Sequence, residues 1–145
     1  LPSLANKISK EQNFGSVTAM DQKVIDSYEG NIKTIKEKFT ENTDVRNYDL
    51  IYGFYPCQAT PLMIQSSFKN DKDLFLEMCG CVHDIPIGFA RTQKTANQYE
   101  IYLNYLKYTL EQLSSSKRTY EIIRYPDLDH EVIRTYKPKN FYWFL

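Results

Sequence analysis

The chain has 145 residues, in which eighteen lysines and arginines balance eighteen aspartates and glutamates. That length suits one domain with a sizeable core, and twelve tyrosines with eight phenylalanines favour a packed globule over a disordered chain. The balanced charge excludes a globally basic protein that binds nucleic acid or anionic lipid. No apolar run is long enough to span a bilayer. The sequence therefore predicts one soluble domain over residues 1–145 without a membrane partner.

The first forty residues contain a helix candidate, a strand and an ambiguous segment. A short helix is expected from Leu4 to Ile8, closed near Gly15. The compact stretch "SVTAMD" then predicts a strand that ends at Asp21. The segment "QKVIDSYEGNIKTIKEKFT" has apolar residues at helical spacing, but Gly30 interrupts it, and "IKTIKEKFT" also has the charged alternate positions of an edge strand. We expect a short helix or turn as far as Gly30, followed by a strand.

Strands and helices alternate from residue 48 onward. "YDLIYGFY" predicts a strand, and "ATPLMIQSSF" predicts a helix with Thr60 as N-cap and Pro61 at its first position. "KDLFLEMCGC" is mostly apolar and predicts a central strand. In "TANQYEIYLNYLKYTLEQL" the apolar residues recur at spacings of three and four, which is typical of a long helix.

The last third of the chain completes the predicted architecture. "YEIIRYPDLDHEVIRTYK" indicates two strands around a "PDLD" turn, and "FYWFL" indicates a final strand. This order predicts an α/β fold, a three-layer sandwich with a mostly parallel sheet and an antiparallel C-terminal hairpin. Ligands bind beyond the carboxyl ends of the strands in such sheets. Three residues at one such end, Tyr55, Pro56 and Cys57, are therefore expected at the rim of a binding site.

Three of these segments carry a family resemblance. "SVTAMD", "YDLIYGFYPCQAT" and "LFLEMCGCVH" resemble strands two, four and five of the Rossmann-like class I S-adenosylmethionine-dependent methyltransferases, and "FYWFL" stands in the place of the final strand. The resemblance implies methyl transfer from S-adenosylmethionine to an acceptor, either RNA or a small molecule. In that family a first strand and a Gly-rich loop precede the helix that "LPSLANKI" resembles. The resemblance therefore also implies that a segment with this first strand and Gly-rich loop precedes Leu1 in the native protein.

The resemblance assigns cofactor contacts to two strand ends, at Asp21 and at Phe54–Cys57, which are expected at the same edge of one sheet. Asp21 would accept hydrogen bonds from the ribose hydroxyls, while Met20 and Gln22 would flank the adenine. An aromatic rim that steadies the sulfonium cation would face the transferred methyl. That rim comprises four consecutive residues, Phe54, Tyr55, Pro56 and Cys57. Without the resemblance, a structural role explains these residues equally well. Asp21 would then form a turn or cap a helix, and Phe54 and Tyr55 would pack at the edge of the sheet.

The cysteines suggest a compartment and a second kind of site. Three cysteines in a chain without a secretory signal indicate reduced thiols in the cytoplasm. Together with His83, the residues Cys57, Cys79 and Cys81 have the donor chemistry of a tetrahedral zinc site. If the two strands that precede them are neighbours in the sheet, the strand ends bring these residues within reach of one another. However, C-x-C-x-H is not an established zinc spacing, and cysteine is among the residues most often buried. We therefore expect reduced thiols and no bound metal.

Two further features leave alternatives open. His130, in "DLDHE", is either a general base or an exposed turn histidine, and without a G-x-S-x-G elbow a hydrolase has little support. Between Ser114 and Asn140, six basic residues interleave with tyrosines. Such residues suit the stacking and phosphate contacts of nucleic-acid binding, but they suit a solvated hairpin equally well.

The alternative function is a noncatalytic interaction module that retains a methyltransferase-like sheet. Its contacts would come from the long helix, which carries Tyr99, Tyr102, Tyr105 and Tyr108. Because these tyrosines advance by three, they drift around the helix, and we expect them to divide between core and rim. The oligomeric state is not set by any of these patterns.

Overall fold

The computed structural model describes residues 16–21 and 32–139, and Asp21 only in its backbone. The chain divides into two compact units, Leu1–Thr40 and Glu41–Leu145. That both belong to one domain stays a prediction. Four sequence predictions fall outside the described residues: the helix at Leu4–Ile8, the helix or turn before Gly30, the role of Gln22, and the "FYWFL" strand.

The first unit contains a two-stranded parallel sheet. Strand β1 (Thr18–Asp21) pairs with strand β2 (Lys33–Lys36), and Asp21 lies opposite Lys36. Both strands are confirmed as predicted from "SVTAMD" and "IKTIKEKFT". Along β2 only Ile35 is half-buried and the other side chains are exposed, which fits the edge-strand interpretation of this segment.

The second unit contains a four-stranded mixed sheet. Its strands are β3 (Leu50–Phe54), β4 (Asp73–Glu77), β5 (Thr119–Ile123) and β6 (Val132–Tyr136), in the order β3-β4-β6-β5. Strands β3 and β4 are parallel, whereas β6 is antiparallel to both of its neighbours. The mostly apolar β4 is central as predicted, and its Leu74 and Leu76 are fully buried.

Three α-helices accompany this sheet within the described residues: α1 (Thr60–Asn70), the short α2 (Ile87–Ala90) and α3 (Gln98–Leu113). Helix α3 confirms the long helix predicted from apolar spacing. Its N-cap is Asn97, whose side chain accepts a hydrogen bond from the backbone N–H of Glu100. No helix in the described part of the chain is both long and apolar enough to cross a membrane.

The predicted start of α1 is wrong by one residue. Ala59 occupies the N-cap position, and Thr60 already has helical dihedrals with φ −51° and ψ −54°. A 3₁₀ turn at Cys57–Ala59 leads into the helix, and the Thr60 N–H donates to the Cys57 carbonyl. Because this turn already provides a partner for the Thr60 amide, the helix begins without a side-chain cap. Proline does lie in the first turn, as expected.

Both long helices pack together beside the sheet. Helix α1 contacts β3, β4 and α3, and α3 also contacts β5. The Ser67 hydroxyl of α1 lies within hydrogen-bonding distance of the Thr135 hydroxyl of β6, and both residues are fully buried. On α3, the core-facing residues are also fully buried: Tyr102, Leu106 and Leu110. The helix with the clearest apolar spacing therefore supplies a large part of the core.

The prediction of a three-layer sandwich with a mostly parallel sheet is wrong. Strands β1 and β2 pair with each other and form a separate sheet, so the sheet of the second unit has four strands. Within it, only β3 and β4 run parallel, because the hairpin of β5 and β6 docks its second strand on β4. Apolar periodicity identifies strands, but it does not specify which strands become neighbours.

Candidate functional site

Three connections meet at one edge of the four-stranded sheet. Because β3 and β4 are parallel, with Phe54 opposite Glu77, their carboxyl ends lie side by side. The hairpin loop of β5 and β6 reaches the same edge, since Val132 lies between Glu77 and Ile123 in the sheet register. We call this region the carboxyl edge; it comprises residues 54–57, 78–83 and 124–131. Ligands commonly bind at the carboxyl ends of parallel strands.

The turn after β3 holds two residues in a strained conformation. Tyr55 has φ 51° and Cys57 has φ 50°, in the left-handed region that side chains other than glycine rarely adopt. The Tyr55 N–H donates to the Glu77 carbonyl, which fixes the turn against β4. Each such conformation costs on the order of 1–3 kcal/mol, and such strain clusters at active and binding sites.

An aromatic pair lies at the beginning of this turn. The rings of Phe54 and Tyr55 stack with centroids 4.2 Å apart and planes inclined by 16°. Tyr55 is nevertheless 43% exposed. The carboxyl edge thus presents a tyrosine ring that is held in place by its neighbour and remains accessible to a ligand.

Next to this turn, the three cysteines come together. The thiol sulfurs of Cys57 and Cys79 are 3.4 Å apart, and the Cys81 N–H donates to the Cys79 sulfur at 3.4 Å. All three sulfurs lie within 4.8 Å of one another. Gly80 makes the tight Cys-Gly-Cys turn with φ 82°, and a Cβ atom there would lie 2.3 Å from His130 Nε2. We call Cys57, Cys79 and Cys81 the thiol cluster.

The thiol cluster distributes its protons unevenly. Burial opposes ionisation of Cys79, but hydrogen bonds from the Cys81 thiol and N–H and from Cys57 outweigh it and lower the pKa of Cys79. Burial, followed by the hydrogen bond to Cys79, raises the pKa of Cys57 to about 12. The hydrogen bond to Cys79 also raises the pKa of Cys81. The hydrogen bonds of the cluster thus favour the thiolate form of Cys79 and the thiol forms of Cys57 and Cys81.

Buried polar atoms without partners lie close to the cluster. Among the described residues, the hydroxyl of Tyr102 and Nε2 of His83 are buried and make no hydrogen bond. The edge of one ring faces the other, with centroids 5.9 Å apart. Burial raises the pKa of Tyr102 to about 12, although the nearby Thr60 side chain acts in the opposite direction, and Cys79 and Cys57 raise the pKa further. The cluster thus lies near the buried hydroxyl of Tyr102.

His130 is half-buried, and not an exposed turn residue as one interpretation of the sequence had it. Its ring lies 5.1 Å from that of Tyr99, whose hydroxyl donates to Glu131 at 2.7 Å. The same histidine lies against Gly80. His130 therefore packs the hairpin loop against the Cys-Gly-Cys turn.

The predicted cofactor residues divide between the two units. Phe54, Tyr55, Pro56 and Cys57 form the carboxyl edge beside β4. Half-buried Met20 and the backbone of Asp21 end β1, which belongs to the other sheet. The expectation that Asp21 and Phe54–Cys57 share the edge of one sheet is therefore wrong, because β1 pairs with β2 and not with the sheet of β3. The cofactor contacts themselves stay predictions.

The basic stretch after Ser114 is largely occupied by internal contacts. Arg118 is only 3% exposed and donates to Asp71 and Asp73 at 3.0 and 2.9 Å. The other internal contacts are Arg134 with Glu121, Lys137 with Asp71, and Arg124 with the Leu128 carbonyl. Four of the six basic residues are therefore already engaged, and this leaves less positive charge for phosphate contacts.

The four tyrosines of α3 divide between core and rim as predicted. Tyr102 is fully buried, whereas Tyr108 is 52% exposed. Tyr105 lies between these extremes and packs its ring edge against Phe89. The helix therefore does not present a continuous tyrosine face to a partner.

Comparisons of this chain with protein-family models, with curated proteins and with solved structures find no match. The resemblance to class I methyltransferases thus rests on the quoted sequence segments. Sequence reasoning missed the position of Tyr102 beside the thiols and the part that Gly80 plays in bringing Cys79 and Cys81 together. The Cys-Gly-Cys spacing was a usable signal for the tight turn, because glycine tolerates a positive φ.

Proposed function

We propose that the protein transfers a methyl group from S-adenosylmethionine to an acceptor, and that the turn after β3 receives the sulfonium end of the cofactor. The observation that carries this proposal is the accessible Tyr55 ring, stacked on Phe54 at the carboxyl end of a parallel strand. The sequence resemblance assigns the same segment to the transferred methyl. A cytoplasmic location, inferred from three free cysteines, belongs to the proposal.

The physical basis is the charge of the cofactor. The sulfonium sulfur of S-adenosylmethionine carries a positive charge, and the face of an aromatic ring attracts a cation by about 0.5–2 kcal/mol, depending on solvent exposure. Stacking on Phe54 fixes the orientation of the Tyr55 ring before the ligand arrives, so less conformational entropy is lost on binding.

The chemical step needs orientation more than a catalytic dyad. A nucleophilic atom of the acceptor attacks the methyl carbon, the carbon–sulfur bond breaks with its electron pair left on sulfur, and the acceptor releases a proton to solvent. The cofactor product is a neutral thioether. Alignment of the attacking and leaving atoms is the main contribution that the protein makes to such a transfer.

Replacing Tyr55 with leucine tests this assignment. We expect affinity for S-adenosylmethionine to fall about 2- to 30-fold, which corresponds to the cation–π range of about 0.5–2 kcal/mol. Affinity for S-adenosylhomocysteine, the neutral product, should change much less. Isothermal titration calorimetry with both ligands measures the two effects.

The matched control is Tyr108→Leu, which removes a tyrosine of similar exposure from α3. We expect this variant to bind both ligands as the unchanged protein does. Equal losses for the cation and the neutral product in Tyr55→Leu would contradict the sulfonium role of Tyr55. Absence of binding in the unchanged protein would contradict the proposed function itself.

A noncatalytic interaction module is the second candidate. It is favoured by two exposed apolar side chains after β4, Ile87 at 69% and Val82 at 39%. A chain that binds neither S-adenosylmethionine nor its product would support this alternative.

A further inference from the structure

The thiol cluster is assembled from two separate connections. Cys57 comes from the turn after β3, whereas Cys79 and Cys81 come from the loop after β4, yet all three sulfurs lie within 4.8 Å of one another. Two of the three placements depend on unusual backbone. Cys57 itself has φ 50°, and the turn between Cys79 and Cys81 requires Gly80 at φ 82°. Backbone strain of this kind persists where surrounding structure enforces a functional arrangement.

We infer that Cys57, Cys79 and Cys81 form a binding site for a thiophilic metal ion, with Zn²⁺ as the representative case. Three thiolates hold the ion, and its fourth coordination position is open. This inference goes beyond the proposed methyl transfer, because it needs neither S-adenosylmethionine nor an acceptor.

The distances suit such an ion. Zinc binds cysteine sulfur at about 2.3 Å in tetrahedral geometry, which places the sulfurs about 3.8 Å apart. The sulfurs of Cys57 and Cys79 are 3.4 Å apart, and no pair in the cluster exceeds 4.8 Å. Adjustments of a few tenths of an ångström to about 1 Å in side-chain position bring all three sulfurs to the zinc distance.

The surroundings of the thiol cluster give a metal ion access to the sulfurs and leave its fourth coordination position free. Cys81 is exposed while Cys57 and Cys79 are half-buried, so an ion reaches the cluster from the Cys81 side. Among the described residues, the group of candidate ligand atoms contains these three cysteines and not His83. Three protein ligands with one open position are typical of catalytic metal sites, whereas structural sites have four.

The donor type selects the metal. Thiolates are soft ligands that favour Zn²⁺ and Cu⁺ over Mg²⁺ and Ca²⁺, which prefer oxygen. As the ion binds, the thiols release their protons to the solvent. The expectation of no bound metal rested on the unusual C-x-C-x-H spacing and on the frequency with which cysteines are buried for packing alone. That spacing does not describe the cluster, because Cys57 lies on another connection and His83 lies outside the group.

Cobalt binding tests the inference without any assay of activity. Co²⁺ is added to the reduced protein, and absorption is recorded in the near ultraviolet and the visible. We expect one Co²⁺ per chain, with sulfur-to-cobalt charge transfer and the intense visible bands of tetrahedral coordination, both lost when one equivalent of Zn²⁺ is added. Weak visible bands without charge transfer would overturn the inference.

Single variants identify the ligands. Cys57→Ser, Cys79→Ser and Cys81→Ser should each weaken Zn²⁺ binding at least about 100-fold, since each removes one of three thiolates. Circular dichroism checks that the variants fold, and Cys81→Ser is the decisive one because its exposed side chain contributes little to packing. Unchanged zinc affinity in Cys81→Ser would overturn the site.

His83→Ala is the matched control for the fourth position. We expect it to retain zinc affinity within about threefold, because His83 lies outside the group of ligands. A loss as large as that of a cysteine variant would overturn the open position. The competing possibility is a disulfide, which thiol titration of freshly purified protein detects. Three reactive thiols after removal of zinc with a chelator support the metal site, whereas a Cys57–Cys79 disulfide contradicts it.

Discussion

Replacing Leu106 with alanine is expected to lower the free energy of unfolding by about 2–5 kcal/mol. Leu106 is fully buried on α3, between the equally buried Tyr102 and Leu110. Truncation removes three carbons from a packed interior and leaves a cavity that the neighbouring helix and strands fill only in part. The denaturation midpoint in urea or guanidinium measures the effect.

Leu113→Ala is the matched control for this variant. Leu113 ends the same helix but is 36% exposed, so its truncation should cost less than about 1 kcal/mol. If the two variants had the same midpoint, α3 would not pack on the core in the way described. A change in the slope of the denaturation curve would indicate a change in compactness of one of the states.

Replacing Gly53 with alanine is expected to destabilise the protein by about 1–3 kcal/mol, although it adds only one methyl group. A Cβ atom at this position in β3 would lie 2.3 Å from Cδ2 of Leu76 and 3.1 Å from Cε of Met63. Leu76 is fully buried and has little room to move. The cost arises mainly because the Leu76 side chain of the neighbouring strand β4, together with Met63 of α1, already fills the space of a Cβ atom at this position.

Gly88→Ala makes the same chemical change where space is open. Apart from its chain neighbours and the backbone of its own short helix α2, no atom lies within 4 Å of a Cβ atom at Gly88. We expect this variant to be neutral or more stable by up to about 1 kcal/mol, because alanine is the better helix former. Equal effects of the two substitutions on thermal unfolding would argue against the close packing of Leu76 and Met63 on Gly53.

The elements of the fold were more predictable than their arrangement. Alternating or continuous apolar runs identified strands such as β3 and β4, and spacings of three and four identified α3, because these signals are local in sequence. Pairing is a long-range property. No local pattern indicates that β1 and β2 form their own sheet, or that β6 inserts between β4 and β5.

The candidate site was likewise predictable in its local sequence features but not in the features that depend on long-range packing. The strand end at Tyr55–Cys57 was predictable, since ligands bind at such ends and proline and cysteine follow the apolar run. The meeting of Cys57 with Cys79 was suggested by their places after neighbouring strands, but the left-handed conformation of Cys57 and the unpaired hydroxyl of Tyr102 were not. Both are features of the tertiary structure, which local sequence patterns do not express.

The functional site that we propose for this protein is the carboxyl edge of β3 and β4. Titration of ¹⁵N-labelled protein with S-adenosylmethionine, followed by backbone amide chemical shifts, tests this claim most directly. We expect the largest shifts at Tyr55, Cys57 and Cys79–Cys81, with little change at Asp71–Asp73 near the opposite end of β4. Saturable binding with its largest shifts elsewhere, or no shift at any concentration, would contradict the account.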